Sequence, residues 1–455
     1  MLARLESVAD TFDFDALRAA EFARLDAQNI AYLDYTASAL YGASQALGHA
    51  DRLACGIFGN PHSEHVASRN SGAAMDAARA ATLAFFDADP ALYDVCFTAN
   101  TTAAIKLVAE SYRFGPRCGL ILAADNHNSV NGAREYARRA GAPVAVLPLD
   151  EELRLDQAAD RLCGIITAQG PGLLAFPSQS NFSGVRHDLA LVDEAQGLGC
   201  DVMIDAASGG ACGGLSLTRH AAEFVACSFY KLFGLPTGVG ALVVKKAALA
   251  RLDRPWFSGG TVAFVSVAQQ RHALLPGHEG FEDGTPNFLD LAAVESGFAF
   301  LDRIPRAALR TRIAALTDYF LRRAANLKHV DGSPLVRLYG PQCFEERGGT
   351  VAFNLLWRDG VAVPYRHVEL RARDHGVALR GGCFCNPGAA EKAFGFDRLD
   401  TARCLEMLEG GFGVAAFHAC LGADATVGAL RLSVGAPTSF ADIDRALALI
   451  ASYAV

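Results

Sequence analysis

The sequence predicts an α/β fold: a large domain with a mainly parallel, seven-stranded sheet, followed by a smaller α+β carboxy-terminal domain. Three observations predict it. Between about residues 95 and 245, short unbroken apolar runs alternate with helical patterns, the mark of strands covered on both faces. A chain of 455 residues exceeds what one hydrophobic core usually serves. Beyond the last run, Arg306–Leu327 opens a new pattern, with apolar residues at Leu309, Ile313, Leu316, Phe320 and Ala324 at helical spacing.

In chain order, the expected strands of the large domain are Val95–Thr98, Gly119–Ala123, Val144–Leu147, Leu173–Phe176, Val202–Asp205, Phe224–Ser228 and Ala241–Val244. Ligands collect at the carboxyl ends of such strands. Asn100, His127, Asn181, Asp205 and Lys231 all stand at or just after one. In the second domain Val351–Leu356, Val377–Leu379 and Ala429–Val434 read as strands, and Phe440–Ala451 as the closing helix. The stretch Gly388–Ala425 is too long for a simple connection and reads partly as helix, over Arg398–Met407 and Gly413–Cys420. The resulting division is an amino-terminal segment, 1–30, packing on the small domain; a large domain, 31–300; and a small domain, 301–455.

Composition excludes several function classes. Hydrophobic residues make up 51% and charged ones 20%, which argues against disorder. A net charge of −8 with no Lys/Arg cluster argues against a nucleic-acid surface. Residues 1–30 lack the basic start, apolar core and cleavage site of an export signal, and glycine or charge interrupts every apolar run before the ~18 residues that span a bilayer. The expectation is a soluble, cytoplasmic protein. Its twelve cysteines, many in apolar runs such as those of Cys96, Cys163 and Cys227, then read as reduced core residues. Cys383-Phe-Cys385 stands apart, but no second paired set lies nearby to complete four ligands, so no metal is expected.

Lys231 is the most informative residue. It follows a run of small residues, precedes a glycine turn and an apolar strand, and is matched by Asp205 at the end of Asp201-Val-Met-Ile-Asp205. A lysine near a strand end is ordinarily solvated, and an aspartate there is ordinarily a cap. Together they point to pyridoxal 5′-phosphate (PLP): the amine can form a Schiff base with its aldehyde, and the carboxylate can keep its pyridine nitrogen protonated. The run Phe97-Thr-Ala-Asn-Thr-Thr-Ala-Ala-Ile-Lys-Leu-Val108 passes from strand to hydroxyl residues to helix. Its free N–H groups with the Thr101 and Thr102 hydroxyls form a phosphate cradle, to which Ser228 adds a donor.

Seven motifs then carry a family resemblance across essentially the whole chain, in order: Tyr32-Leu-Asp-Tyr-Thr-Ala, Gly59-Asn-Pro-His-Ser, Asp125-Asn-His-Asn-Ser-Val, Gln179-Ser-Asn-Phe-Ser-Gly, Ser228-Phe-Tyr-Lys-Leu-Phe-Gly, Phe281-Glu-Asp-Gly-Thr-Pro and Arg380-Gly-Gly-Cys-Phe-Cys-Asn-Pro-Gly. The sequence resembles the cysteine desulfurase branch of the class V aminotransferases, and most closely the amino-terminal desulfurase domain of molybdenum cofactor sulfurases. The resemblance implies the type I fold of PLP-dependent transferases. It also implies that the sulfurases' carboxy-terminal cofactor-binding domain is not part of this sequence.

The resemblance further implies roles. His127 stacks on the pyridine face and shuttles protons. Asn181 meets the phenolic oxygen of PLP or the substrate carboxylate, and Arg380 grips that carboxylate with its guanidinium fork. Thr285 reaches the phosphate of a neighbouring subunit in a homodimer. Tyr230 and Ser208 stand where many desulfurases carry histidine and glutamine, a departure shared with the sulfurase branch, and count among the cofactor contacts. Cys385, five residues after Arg380, is the nucleophile of one desulfurase subgroup, with Cys383 its rival; its thiolate needs a nearby positive group or proton acceptor. The implied reaction converts L-cysteine, or a related sulfur amino acid, to L-alanine, with a persulfide on Cys385 for a sulfur-acceptor protein or cofactor. A PLP-dependent carbon–sulfur β-lyase, another class V aminotransferase or epimerase, and a non-catalytic sulfur-carrier subunit are the rival readings.

Overall fold

A computed structural model describes residues 12–209, 214–396, 398–407, 411, 413–422 and 425–455. After a short strand, β1 (Ala31–Tyr32), the chain lays down β2 (Tyr93–Thr98), β3 (Gly119–Ala123), β4 (Val144–Leu147), β5 (Gly172–Pro177), β6 (Asp201–Asp205), β7 (Phe224–Ser228) and β8 (Gly240–Lys245). These seven strands, β2 to β8, form one sheet in the order β2-β8-β7-β6-β5-β3-β4. Only β8 runs against its neighbours, so β2, β3, β5, β6 and β7 all point their carboxyl ends the same way. Each strand feeds two cores in alternation: Val95, Ile121, Leu174, Ile204 and Val225 face one, and Cys96, Leu120, Leu173, Met203 and Phe224 the other. Burial of both faces is the physical reason that the strands read as continuous apolar runs.

The hairpin β9 (Val262–Ser266) and β10 (Arg271–Leu274) follows. Four further strands, β11 (Val336–Tyr339), β12 (Thr350–Leu355), β14 (Arg380–Gly382) and β15 (Ala429–Ser433), make an antiparallel sheet in the order β11-β12-β15-β14. Against it pack the helices Arg306–Ala325 and Phe440–Ala451, the first burying Leu309, Ile313, Leu316, Phe320 and Ala324. Phe14, Leu17, Phe22 and Leu25, from the helices Phe14–Glu21 and Arg24–Ala27, join the same core; residues 1–11 of the expected amino-terminal segment lie outside the described residues.

Three expectations need correction. Val377 and Ala378 form β13, which pairs in parallel with β1 and not within the small sheet; the edge strand there is β14, two residues on. Cys404 and Cys420 are not reduced. They face each other from the packed helices Arg398–Met407 and Val414–Leu421, with Cα atoms 5.8 Å apart, and are joined as a disulfide. Cys163 is exposed on the helix Ala158–Gln169, because its apolar run is the face of a helix and not a buried strand.

One fully buried cation ties the two sheets together. Arg347 donates to the carbonyls of Pro341 (2.6 Å) and Thr350 (2.6 Å), and also to those of Ser183 and Tyr339. A guanidinium has enough donors to serve several carbonyls at once, and an ammonium does not have that planar reach. Arg347→Ala would strand these acceptors without water. It should therefore lower stability in urea unfolding by about 3 kcal/mol or more, and Arg347→Lys should recover little of the loss. Unfolding midpoints equal to that of the parent would show that the carbonyls find other donors.

Candidate active site

The shared direction of β2, β3, β5, β6 and β7 brings their following loops to one cavity of about 340 Å³. Its lining gathers nine of the residues expected from the sequence: Thr101 and Thr102 after β2, His127 after β3, Asn181 after β5, Asp205 and Ser208 at and after β6, and Ser228, Tyr230 and Lys231 at and after β7. Gln179, Ser129, Thr237 and Gly238 complete much of the wall.

The hydroxyl end is built on the start of the helix Thr101–Ser111. Asn100 caps it by accepting from the Ala103 N–H (3.0 Å), which leaves the Thr102 hydroxyl to pair with Ser129 (2.7 Å). Ser228 Oγ accepts from the Thr101 N–H (2.8 Å) and lies 2.6 Å from Thr101 Oγ1. Gly240 makes this junction close, since a Cβ there would lie 2.7 Å from backbone atoms of Asn100. Elsewhere in the lining, Ser208 Oγ is buried with no hydrogen-bond partner.

At the other end lie two charged groups and an imidazole. Asp205 is buried at the end of β6 and accepts from the Ala207 N–H (2.9 Å). Burial pushes the Lys231 amine below its ordinary value; the Asp205 carboxylate opposes that shift, while Arg431 adds to it. His127 is likewise pushed down by burial, against the pull of Asp205 and with the help of Lys231 and Arg431. Its Nδ1 accepts from the Ser129 N–H (3.1 Å), so the neutral ring carries its proton on Nε2. Tyr230 is pushed up by burial, which keeps its phenol protonated.

Three expected residues stand apart from this lining. Thr285 is exposed and accepts from Asn60 (3.1 Å), beside a separate cavity of about 340 Å³. Arg380 has its fork filled by Asp34, with Nη2 donating at 2.8 Å and Nε at 3.0 Å. Cys385 is exposed, on the loop after β14, next to Phe384, whose carbonyl accepts from Asn181 of the lining (2.7 Å); the Cys383 thiol is half-buried, donates to the Val427 carbonyl (3.1 Å) and is pushed up by burial. Phe384 and Cys385 both adopt left-handed backbone, at φ 54° and 55°. For residues other than glycine that conformation costs roughly 1–2 kcal/mol each.

Arg431 escapes the sequence reading. It sits on β15 directly opposite Arg380, is buried, donates to the Asn181 carbonyl (2.9 Å) and to Asp34 (3.3 Å), and lies over the Phe384 ring. The available signal was an arginine inside the apolar strand Ala429-Leu-Arg-Leu-Ser433, a position that a charged residue takes only with a partner. Among the described residues, no group of three or more His, Cys, Asp or Glu is arranged to hold a metal ion. No described helix is long and apolar enough to cross a membrane.

As a set, these groups can hold a planar ring that carries an anionic group at one end: a helix start with hydroxyls for the anion, a buried carboxylate, and a low-pKa amine for a carbonyl carbon. Comparison with known proteins agrees with this geometry. The chain is 34% identical over 96% of its length to the molybdenum cofactor sulfurase of Oryza sativa subsp. japonica, and 35% identical over 94% to molybdenum cofactor sulfurase 3 of Aedes aegypti. In both cases it covers 57% of the relative, so it spans just over half the length of these curated relatives. Among solved structures, a cysteine desulfurase from Thermococcus onnurineus NA1 superposes with a TM-score of 0.79 at 22% identity, covering 96% of this chain and 97% of that one. The cysteine desulfurase CsdA from Escherichia coli gives 0.76 at 23%, covering 97% and 98%, so the fold is shared. The family model for class V aminotransferases, whose members typically bind PLP, matches residues 31–445. A match that runs through both sheets and the whole cavity makes this chain a member of the class V aminotransferase family.

Proposed function

We propose that the chain is a PLP-dependent cysteine desulfurase, which takes sulfur from L-cysteine, releases L-alanine and carries the sulfur as a persulfide on Cys385 to an acceptor. The observation that carries this reading is the hydrogen bond from Asn181, which lines the cavity with Lys231 and the buried Asp205, to Phe384 on the strained loop that bears the exposed Cys385. The similarity to molybdenum cofactor sulfurases supports sulfur mobilisation as the chemistry.

The residues fit the cofactor. Thr101, Thr102 and Ser228 would hold its phosphate, Asp205 its ring nitrogen, Lys231 its aldehyde carbon and His127 its ring face, with Tyr230, Asn181 and the otherwise unpartnered Ser208 hydroxyl at the edges. When bound, PLP supplies an electron sink that allows the substrate to lose its α-proton. The substrate carboxylate is received by the Arg380–Arg431 pair with Asn181: two guanidiniums against one Asp34 carboxylate leave one positive charge. Lys231 Nζ, whose hold on a proton is weakened by burial, takes the α-proton. Cys385 Sγ, as thiolate, attacks the substrate sulfur; the carbon–sulfur bond breaks as the sulfur–sulfur bond forms, the proton given up by the thiol goes to the substrate β-carbon, and the proton held by Lys231 returns to the α-carbon to complete alanine. L-cysteine and one thiol thus become L-alanine and one persulfide, with no outside oxidant.

Thr285 would complete the cofactor site of a neighbour in a symmetric dimer, as its place outside this cavity allows. A cytoplasmic location and a separate sulfur acceptor belong to the same proposal.

Three measurements test it. Purified protein supplied with PLP should be yellow and should retain the colour-bearing group on Lys231 after borohydride; Lys231→Ala should lose that link, and a parent protein that stays colourless would end the proposal. In cofactor-free protein, His127 should titrate below 6.5, and Asp205→Asn, by removing the carboxylate that raises both groups, should lower His127 and Lys231 further. Unchanged histidine resonances across that substitution would separate Asp205 from the site. Finally, Cys385→Ser should abolish alanine formation from L-cysteine, a loss of about a hundredfold or more, while Cys383→Ser remains active. Pyruvate released by Cys385→Ser at the parent rate would instead identify a β-lyase.

A further inference from the structure

The cysteine loop is held from beyond its own sheet as well as by it. Four hydrogen bonds tie it to the loops after β3 and β5 of the large sheet. The Asn128 N–H donates to the Cys385 carbonyl (2.7 Å), and Asn181 Nδ2 donates to the Phe384 carbonyl (2.7 Å). Asn386 Nδ2 donates both to the Asp125 carbonyl (2.6 Å) and to Asn181 Oδ1 (2.9 Å). Asn386 is completely buried, and its remaining atom, Oδ1, accepts from the Ala389 N–H (3.2 Å) to cap the helix Pro387–Phe394. Gly388 lets that helix start sit against the same loop: a Cβ there would lie 2.1 Å from the Ala124 carbonyl oxygen.

We infer that Asn386 is a positioning residue for Cys385. Its amide joins the helix cap, the β3 loop and the β5 loop, and so holds two consecutive residues in left-handed backbone beside Asn181, which lines the cavity. Side-chain chemistry explains the choice of asparagine. The position needs one acceptor for the cap and two donors aimed at oxygen atoms, which neither aspartate nor serine can supply. Strain of this kind persists only where surrounding contacts over-determine it. The inference rests on the reading of Cys385 as nucleophile; the clasp itself is geometric.

Asn386→Asp and Asn386→Ser both keep the capping acceptor and lose the amide donors, and either serves if the other folds poorly. In PLP-loaded full-length protein, cofactor absorbance and the KM for L-cysteine should stay near the parent values. The kcat for alanine and the sulfur added to the Cys385 peptide should fall about a hundredfold, the scale of a nucleophile displaced by about 1 Å. Hydrogen exchange at the Asn128 amide should quicken by about tenfold, the equivalent of one weakened hydrogen bond. A merely structural asparagine would lower the unfolding midpoint and leave kcat intact. Parent-like kcat in a folded variant, with or without faster exchange, overturns the inference while Cys385→Ser remains inactive. Alanine formation persisting in Cys385→Ser, measured with Asn386 intact, overturns the nucleophile reading and this role with it.

Discussion

Two arginines on adjacent strands share one carboxylate. Arg380 and Arg431 are direct cross-strand partners on β14 and β15, a placement that is repulsive without a counter-ion. Asp34 supplies it from outside the sheet, taking both Nε and Nη2 of Arg380 and one Nη2 of Arg431. The segment that carries Asp34 is itself fixed to β15, where the Ser433 N–H donates to the Leu33 carbonyl (2.8 Å) and Ser433 Oγ accepts from the Thr36 N–H (2.9 Å). An ion that replaced water around Arg431 with apolar neighbours alone would cost several kcal/mol. The small sheet can therefore turn a positive face toward the cavity only because the chain between β1 and the helix Ala43–Cys55 runs where it does.

The two sheets meet through polar groups as well as through a shared apolar cluster that includes Phe182, Val185, Tyr339, Ala352 and Phe384. Arg431 reaches the carbonyl of Asn181, Arg347 reaches that of Ser183, and the side chain of Gln179 reaches Thr350 (3.3 Å), all on the loop after β5. That loop carries no helix or extended strand, and its own turn is braced by what donates to it. Buried backbone acceptors have to be satisfied, and here side chains from the other sheet satisfy them.

Much of the architecture is legible in the sequence because burial on both faces leaves an unambiguous trace. All seven strands of the large sheet correspond to apolar runs such as Gly119–Ala123 and Phe224–Ser228, and the residues at their ends line one cavity. What escapes has a shared cause. The β9–β10 hairpin is largely exposed and so has no apolar signature; β13 is two residues long and pairs with β1, more than three hundred positions earlier; and β11 is only partly buried. Local pattern cannot report such pairings. The Cys404–Cys420 bond escapes for a different reason, since spacing says nothing about which helix faces will meet. At the site, residue types announce themselves more readily than partners do. Arg380 is visible as an arginine before two glycines, but its engagement by Asp34, and the grip of Asn181 on Phe384, depend on strands that come together only in three dimensions.

β8 is the single reversed strand of the large sheet, and its direction governs how Lys231 is tethered. Neighbouring parallel strands need a long crossover, usually a full helix, whereas antiparallel neighbours can be joined by a short return. Lys231 lies in such a return, between Ser228 and Gly240, in one turn of helix followed by Gly234, whose φ of 85° lets the backbone pass within van der Waals contact of Tyr41. With the two ends of the segment paired to each other in one rung of the ladder, little slack remains for the amine to wander. The reversal thus works as a leash: it exchanges the freedom of a crossover for a lysine whose reach is set by the spacing of two strands.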